Sequence, residues 1–154
     1  MYVDQADSFM YQTVGHSLID LYSDCLGLPM YRQSLTGGSV NTNADYSITL
    51  NDEVEDLYTL LSRVKADFPD LQAVASGAIL SNYQRVRVEH VCQRLGLVSL
   101  AFLWEREQDM LLKSMVEFDL NAVLIKVACM GMSLLSIFPQ NLTRHERQDW
   151  ISHI

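Results

Sequence analysis

With 154 residues, 49% of them hydrophobic, and a mean hydropathy of +0.05, the chain is long and apolar enough for one domain with a sizeable core, which excludes a disordered polypeptide. A net charge of -8 and an isoelectric point near 4.8 exclude sequence-independent nucleic-acid binding, which needs basic surface to displace counterions. No apolar run approaches the roughly 20 residues of a bilayer-spanning helix, and MYVDQADS lacks the basic start and apolar centre of a signal peptide, so the expectation is a cytoplasmic protein without membrane or nucleic-acid partners.

In chain order, Asp7 or Ser8 is placed to cap a first helix whose inward stripe is Met10, Val14, Leu18, Leu21 and Cys25, closed by Gly27. Gln12 and His16 lie off that stripe. Leu28 to Leu35 reads as a strand, confined by Pro29 to an edge or a first residue. Thr36 to Asn51 turns to Gly, Ser, Asn and Thr without periodicity, a loop. Within it TGGSV, Thr36 to Val40, superficially resembles a phosphate loop, because consecutive glycines expose N–H groups to an anion. No buried strand precedes it and no helix follows at once, so a plain turn is expected.

Asp52 opens a second helix with a D-x-x-E capping pattern, and Asp52, Glu53, Glu55 and Asp56 set negative charge at its positive end. Helix-terminus electrostatics accounts for these acids without a metal. The inward stripe is Val54, Leu57, Leu61, Val64 and Phe68, and Pro69 with Asp70 ends the helix.

Ala73 to Ile79 is small, apolar and continuous, the pattern of a parallel strand covered on both faces. Gly77 permits close backbone approach near its carboxyl end. Ser81 and Gln84 have capping-box spacing, so a third helix starts at Ser81 and its first N–H groups point into the space above the strand, where open α/β sheets hold ligands. Val88, Val91, Cys92 and Leu95 form its inward face. Arg85, in the first turn, reaches toward that crevice, while Glu89 at i+4 makes an ordinary surface ion pair the competing reading.

Val98 to Leu103 reads as a strand ending at Trp104, Glu105 to Phe118 as a helix with Leu111, Met115 and Phe118 inward, and Ala122 to Ala128 as a further buried strand. Alternation of strand and helix implies a mainly parallel sheet with right-handed crossovers. Cys25, Cys92 and Cys129 are far apart in apolar segments, so buried free thiols are expected; the four histidines show no ligand spacing, and no metal site is expected.

GAILSNYQRVRVEHVCQRLGL resembles the signature of the diphthine-ammonia ligase family, ATP-dependent enzymes built on an adenine-nucleotide α-hydrolase domain. The likeness continues in MYQTVGH (Met10 to His16), DEVEDLY (Asp52 to Tyr58), LAFLWEREQDMLL (Leu100 to Leu112) and VLIKVACMG (Val123 to Gly131). It covers about Asp4 to Gly131, so 1–131 is expected to be a partial domain of that type and 132–154 a divergent tail. The resemblance implies an incomplete Rossmann-like (HUP) α/β fold: a mainly parallel sheet with flanking helices in strand order 3-2-1-4-5.

It also implies adenylation of the diphthine carboxylate on translation elongation factor 2, then displacement of AMP by ammonium to give the amide, with ATP as cosubstrate and magnesium held through its phosphates. The family's S-G-G-K-D-S phosphate loop and E-G-G-E-Y-E stretch do not occur in this sequence. TGGSV is followed by neither the Lys nor the Asp of that loop. Independent turnover and full stability of the isolated chain are therefore not expected, or Leu28 to Leu35 is expected to pair in a non-family place. A binding module without catalysis and a nucleotide-binding module without ligase chemistry are the alternatives. The positions matching the pocket are Gly77, Ser81, Tyr83, Gln84, Arg85, Arg87 and Glu89, with Gln12, Gly15 and His16 from the first segment. Arg85 and Ser81 are expected to face it and Tyr83 to pack or stack, with no catalytic residue assigned.

Overall fold

The structure, a computed structural model, describes residues 8–11 and 16–119, with His16 described by its backbone alone. The chain divides into two units, Met1–Trp104 and Glu105–Ile154. The first contains a 3-10 turn at His16–Leu18, α1 (Leu21–Leu26), α2 (Glu53–Asp67), β1 (Ala73–Ala75), α3 (Asn82–Arg94) and β2 (Val98–Leu100). The second contains α4 (Gln108–Glu117).

Two helices form where local signals are strongest. The Asp52 side chain accepts from the Val54 N–H and starts α2, while Glu53, Glu55 and Asp56 oppose the positive end of the helix dipole. Phe68 closes it, its N–H donating to the Val64 carbonyl at 2.9 Å. Ser81 caps α3 by accepting from the Gln84 N–H. At the far end of α3 the Lys65 ammonium of α2 donates to the Leu95 carbonyl, supplying one of the acceptors' missing partners.

β1 and β2 run parallel, with Ala73 beside Val98, Val74 beside Ser99 and Ala75 beside Leu100. With α3 as the crossover this is one β-α-β unit, an incomplete Rossmann-like α/β domain. The core is Met10, Tyr46, Val54, Leu61 and Val91, with Leu57, Tyr58, Val74, Tyr83 and Val88 packed around it. Val54 and Val91 are wholly buried, each stabilising the fold by roughly 1.5–3 kcal/mol relative to exposure. They lock α2 against α3.

Several expectations are corrected. Leu28 to Leu35 forms no strand: the segment opens on a bend at Leu28 and is unpaired in any ladder, and Leu28, Met30 and Leu35 are exposed. A strand pattern needs a neighbouring strand to satisfy its N–H and C=O groups, and among the described residues none pairs with it. Among the described residues the expected first helix comprises the 3-10 turn and six-residue α1, which buries no residue; Leu18, Leu21 and Cys25 face outward, and Val14 lies outside the described residues. Gly27 nevertheless closes α1 in the left-handed region at φ 63°, as its position predicts.

The strand expected over Ala73 to Ile79 stops at Ala75 and is only partly covered, because among the described residues the sheet has two short strands. β2 likewise ends at Leu100, and Ala101 to Trp104 forms a turn in which the Trp104 N–H donates to the Ala101 carbonyl. Phe68 is exposed rather than inward. In α4 the buried residue is Val116, while Phe118, expected inward, is 86% exposed. Cys92 is buried as expected, whereas Cys25 is not. The strand expected over Ala122 to Ala128, Cys129 and the 131/132 boundary lie outside the described residues.

Candidate functional site

Of the sequence-predicted residues, Ser81 caps α3 and Tyr83, Gln84, Arg85, Arg87 and Glu89 lie along it. Ser81 turns the chain out of an extended conformation, and its hydroxyl holds the Gln84 N–H at 3.3 Å. As at any helix start, the N–H groups of Asn82 and Tyr83 have no intrahelical acceptor. The capping box is not reciprocal, a second correction of the spacing rule. The Gln84 Nε2 instead donates to the Phe9 carbonyl at 3.1 Å and the Met10 carbonyl at 3.5 Å. That bond brings the block around residues 8–11 against α3 across 75 residues of sequence.

Arg85 is held on its own helix. Its guanidinium donates to Glu89 Oε1 at 2.8 Å and Asn82 Oδ1 at 3.2 Å, and lies 4.6 Å from the Trp104 ring centroid. The ion pair read from the i, i+4 spacing forms, and the indole covers the guanidinium by a cation–π contact. Gly77 is exposed, and a Cβ there meets nothing within 4 Å, so no described atom of the chain uses the close approach that a glycine allows. His16 opens the 3-10 turn by its backbone; Gln12 and Gly15 lie outside the described residues.

Arg87 is the most deeply placed of the set. It is wholly buried, with its guanidinium 3.3 Å from the Tyr83 ring centroid and 5.4 Å from that of Tyr46. It donates to the carbonyls of Tyr83 at 3.1 Å, Asn41 at 2.6 Å and Asn43 at 3.1 Å. A buried cation needs compensation, and here it comes from carbonyl dipoles and aromatic faces. Asp52 completes the balance through the backbone: its carboxylate accepts the N–H of Asn41, the residue whose carbonyl Arg87 holds, and that of Val40. Tyr83 therefore packs on Arg87, with the Phe9 ring edge-on at 5.7 Å.

Sequence reasoning missed the polar knot at the start of α2. Asp52, Glu53 and Asp56 are all buried. Asp56 accepts from the Thr36 N–H and hydroxyl at 2.8 Å each and from the Gly37 N–H at 3.0 Å. Glu53 accepts from the hydroxyls of Ser8 at 2.5 Å and Ser39 at 2.7 Å. The Thr36 to Val40 stretch is thus more than the plain turn expected of it. Its N–H groups do cradle anions, but these are the carboxylates of α2. The clue was available: an acid-dense helix start facing a Gly, Ser and Thr loop is a matched set of acceptors and donors.

Electrostatics follow from these contacts. Burial pushes Asp56 upward, but the bonds from Gly37 and Thr36 outweigh it and hold its carboxyl below the usual value. Glu55 is also held low, first by its hydrogen bonds from Arg94, two at 2.9 Å. Burial, reinforced by Glu53, Asp56 and Asp52, pushes the Tyr11 phenol above its ordinary range, so it stays protonated. Burial also lowers His90, which stands edge-on to Tyr46 at 5.0 Å with Arg94 and Glu55 nearby.

Comparison with known proteins matches this frame as a whole. Residues 1–99 match the family described as the diphthamide synthase N-terminal domain. Proteins named diphthine–ammonia ligase are similar to the chain over 84% of its length: 58% identical in Schizosaccharomyces pombe, 54% in Danio rerio and 50% in Homo sapiens. The matched part is 22%, 50% and 48% of those proteins, so the chain spans at most about half the length of these relatives. The sequence blocks, the β-α-β unit with its capped α3 and the match over residues 1–99 place the chain in the diphthamide synthase family, within its N-terminal domain.

Proposed function

We propose that the chain serves an ATP-dependent amide ligase that converts diphthine on translation elongation factor 2 to diphthamide in the cytoplasm. Ammonium supplies the nitrogen, and AMP and pyrophosphate are the products. The observation that carries this reading is the 58% identity, over 84% of the chain, to a protein named diphthine–ammonia ligase. The capped start of α3, downstream of a parallel strand, is the kind of place where α/β folds receive nucleotides, and it supports the same assignment.

In this reading the chain supplies one wall of the nucleotide pocket. The first-turn N–H groups of α3 offer donors to an anion. Arg85 is the cation within reach: a phosphate arriving at the helix start would compete with Glu89 for its part-exposed guanidinium. Ser81 sets the helix start, and Arg87 and Tyr83 hold it in place from beneath. The carboxylates at the start of α2 are occupied by N–H and hydroxyl donors, so magnesium would come to this chain on the phosphates of ATP. The S-G-G-K-D-S stretch that would wrap those phosphates is not in this sequence, and turnover requires its equivalent.

Titration calorimetry with ATP–magnesium tests the pocket. Arg85→Gln is expected to weaken binding about tenfold, the effect of one charge-assisted hydrogen bond, and Glu89→Gln to strengthen it by freeing Arg85. Incubation with diphthine-bearing elongation factor 2, ATP and ammonium, with an S-G-G-K-D-S-bearing segment supplied as a second polypeptide, then tests the ligase step by release of AMP. Binding without AMP release supports a nucleotide-binding module instead. Silence in both, with elongation factor retained, supports a binding module and overturns the ligase reading.

A further inference from the structure

We infer that Gln84 is a positioning residue: it fixes the Ser8 to Tyr11 segment as a rim beside the start of α3, with its amide donor committed to backbone rather than to a ligand. This deepens the nucleotide reading above and rests on it. In a capping box the side chain of Gln84 would return to the Ser81 N–H. Here it leaves its own helix, and its two N–H bonds reach the adjacent carbonyls of Phe9 and Met10.

Every other tie on that segment holds a different group. Ser8 Oγ accepts from the N–H groups of Met10 and Tyr11 and donates to Glu53, Ser39 accepts from the Phe9 N–H at 3.3 Å, and Met10 is buried in the core. The carbonyl side of Phe9 and Met10 is held by Gln84. The same residue is one position from Arg85 and three from the cap at Ser81, so the bond sets the distance between the rim and the anion-facing helix start.

Two substitutions separate positioning from direct contact. Gln84→Lys keeps an N–H donor and loses the amide oxygen; Gln84→Glu keeps the shape and loses the donor. Amide hydrogen exchange at Phe9, Met10 and Tyr11 is measured on the full chain beside ATP–magnesium calorimetry. Gln84→Glu is expected to speed exchange at those amides about tenfold, with α2 core amides unchanged, and to weaken ATP binding at least about threefold, while Gln84→Lys keeps exchange near wild type and, with its added charge at the helix start, binds ATP at least as tightly as wild type. Unchanged exchange in Gln84→Glu overturns the inference. So does a Gln84→Lys protein with normal exchange and ATP binding as weak as that of Gln84→Glu, which places the amide oxygen on the ligand. Failure of the wild-type chain to bind ATP sinks the nucleotide reading alone, and the exchange rates still decide whether Gln84 holds the segment.

Discussion

Two regions of the first unit hold their shape by opposite means. Where α2, α3 and the loop from Thr36 to Asn51 meet, four charged side chains are buried, and each reaches its partners through hydrogen bonds to backbone or hydroxyl groups. From Leu18 to Leu35 the apolar side chains Leu18, Leu21, Tyr22, Leu26, Leu28 and Met30 are exposed, and the ties are polar and peripheral. These include the Arg32–Asp20 pair, the Tyr31 hydroxyl on Asp67 at 2.6 Å and Arg63 on Gln33 at 3.2 Å. The contrast reverses the usual rule that charge lies outside and leucine inside. Burial follows from which groups find partners, and the Leu18 to Leu35 segment finds few.

The largest effect expected from this contrast is at Arg87. Arg87→Ala leaves three carbonyls and the Asp52 charge without their buried counterpart, and it should cost about 3–5 kcal/mol in urea unfolding. Arg87→Lys should rescue only part of this, because one ammonium cannot match a planar fork stacked on Tyr83. Gly37→Ala comes next. A Cβ there would lie 2.5 Å from the Asn51 carbonyl oxygen, so the loop must shift away from Asp56, at about 1–3 kcal/mol. A Gly37→Ala protein as stable as wild type would mean that the loop is not anchored as described.

Ion pairs sharpen the comparison further. Arg94 and Glu55 are bonded twice with side chains 21% and 26% exposed, whereas Arg32 and Asp20 are 51% and 77% exposed. Glu55→Gln should cost about 1 kcal/mol and Asp20→Asn less than about 0.5 kcal/mol by the same measurement. Equal costs would break the distinction between the regions.

Acid should act on the polar region in two stages. Burial holds the His90 pKa below its usual 6.5, so between the two values the unfolded chain binds a proton that the folded chain does not. This contribution is full above about pH 6.5 and declines as the pH falls through and below it. Glu55 and Asp56 titrate below their usual 4.5 and 3.8, so their contribution is present above those values and is lost as the pH falls further. His90→Gln should remove the upper stage and leave the lower one.

What the sequence made legible was local. The caps at Asp52 and Ser81 and the αL close at Gly27 are set by residues within three positions of each other, and each appears where the pattern puts it. The Arg85–Glu89 pair is of the same kind. What failed were readings that needed a distant partner. Leu28 to Leu35 has the composition of a strand, but a strand is a relation between two segments, and composition carries half of it. The Thr36 to Val40 stretch reads as a plain turn because the carboxylate that its amides hold, Asp56, lies 19 to 20 residues away. Arg87 is expected from the sequence only as a pocket position, without its burial; Tyr83 at i-4 was the available hint that it stacks on its own helix. At the candidate site the capped helix start was visible, while Gln84 crossing to Phe9 was not, since nothing local distinguishes a reciprocal box from an open one.

The grip of Arg87 on loop oxygen atoms has a corollary for how the family can drift. A guanidinium that reads main chain is indifferent to the identity of the residue presenting it, so position 43 is free to vary provided its carbonyl stays in place. Position 41 is not equally free, because its own amide also braces Ser47 and Thr49. A library randomised at both positions and selected for folded protein should return many side chains at 43 and few at 41.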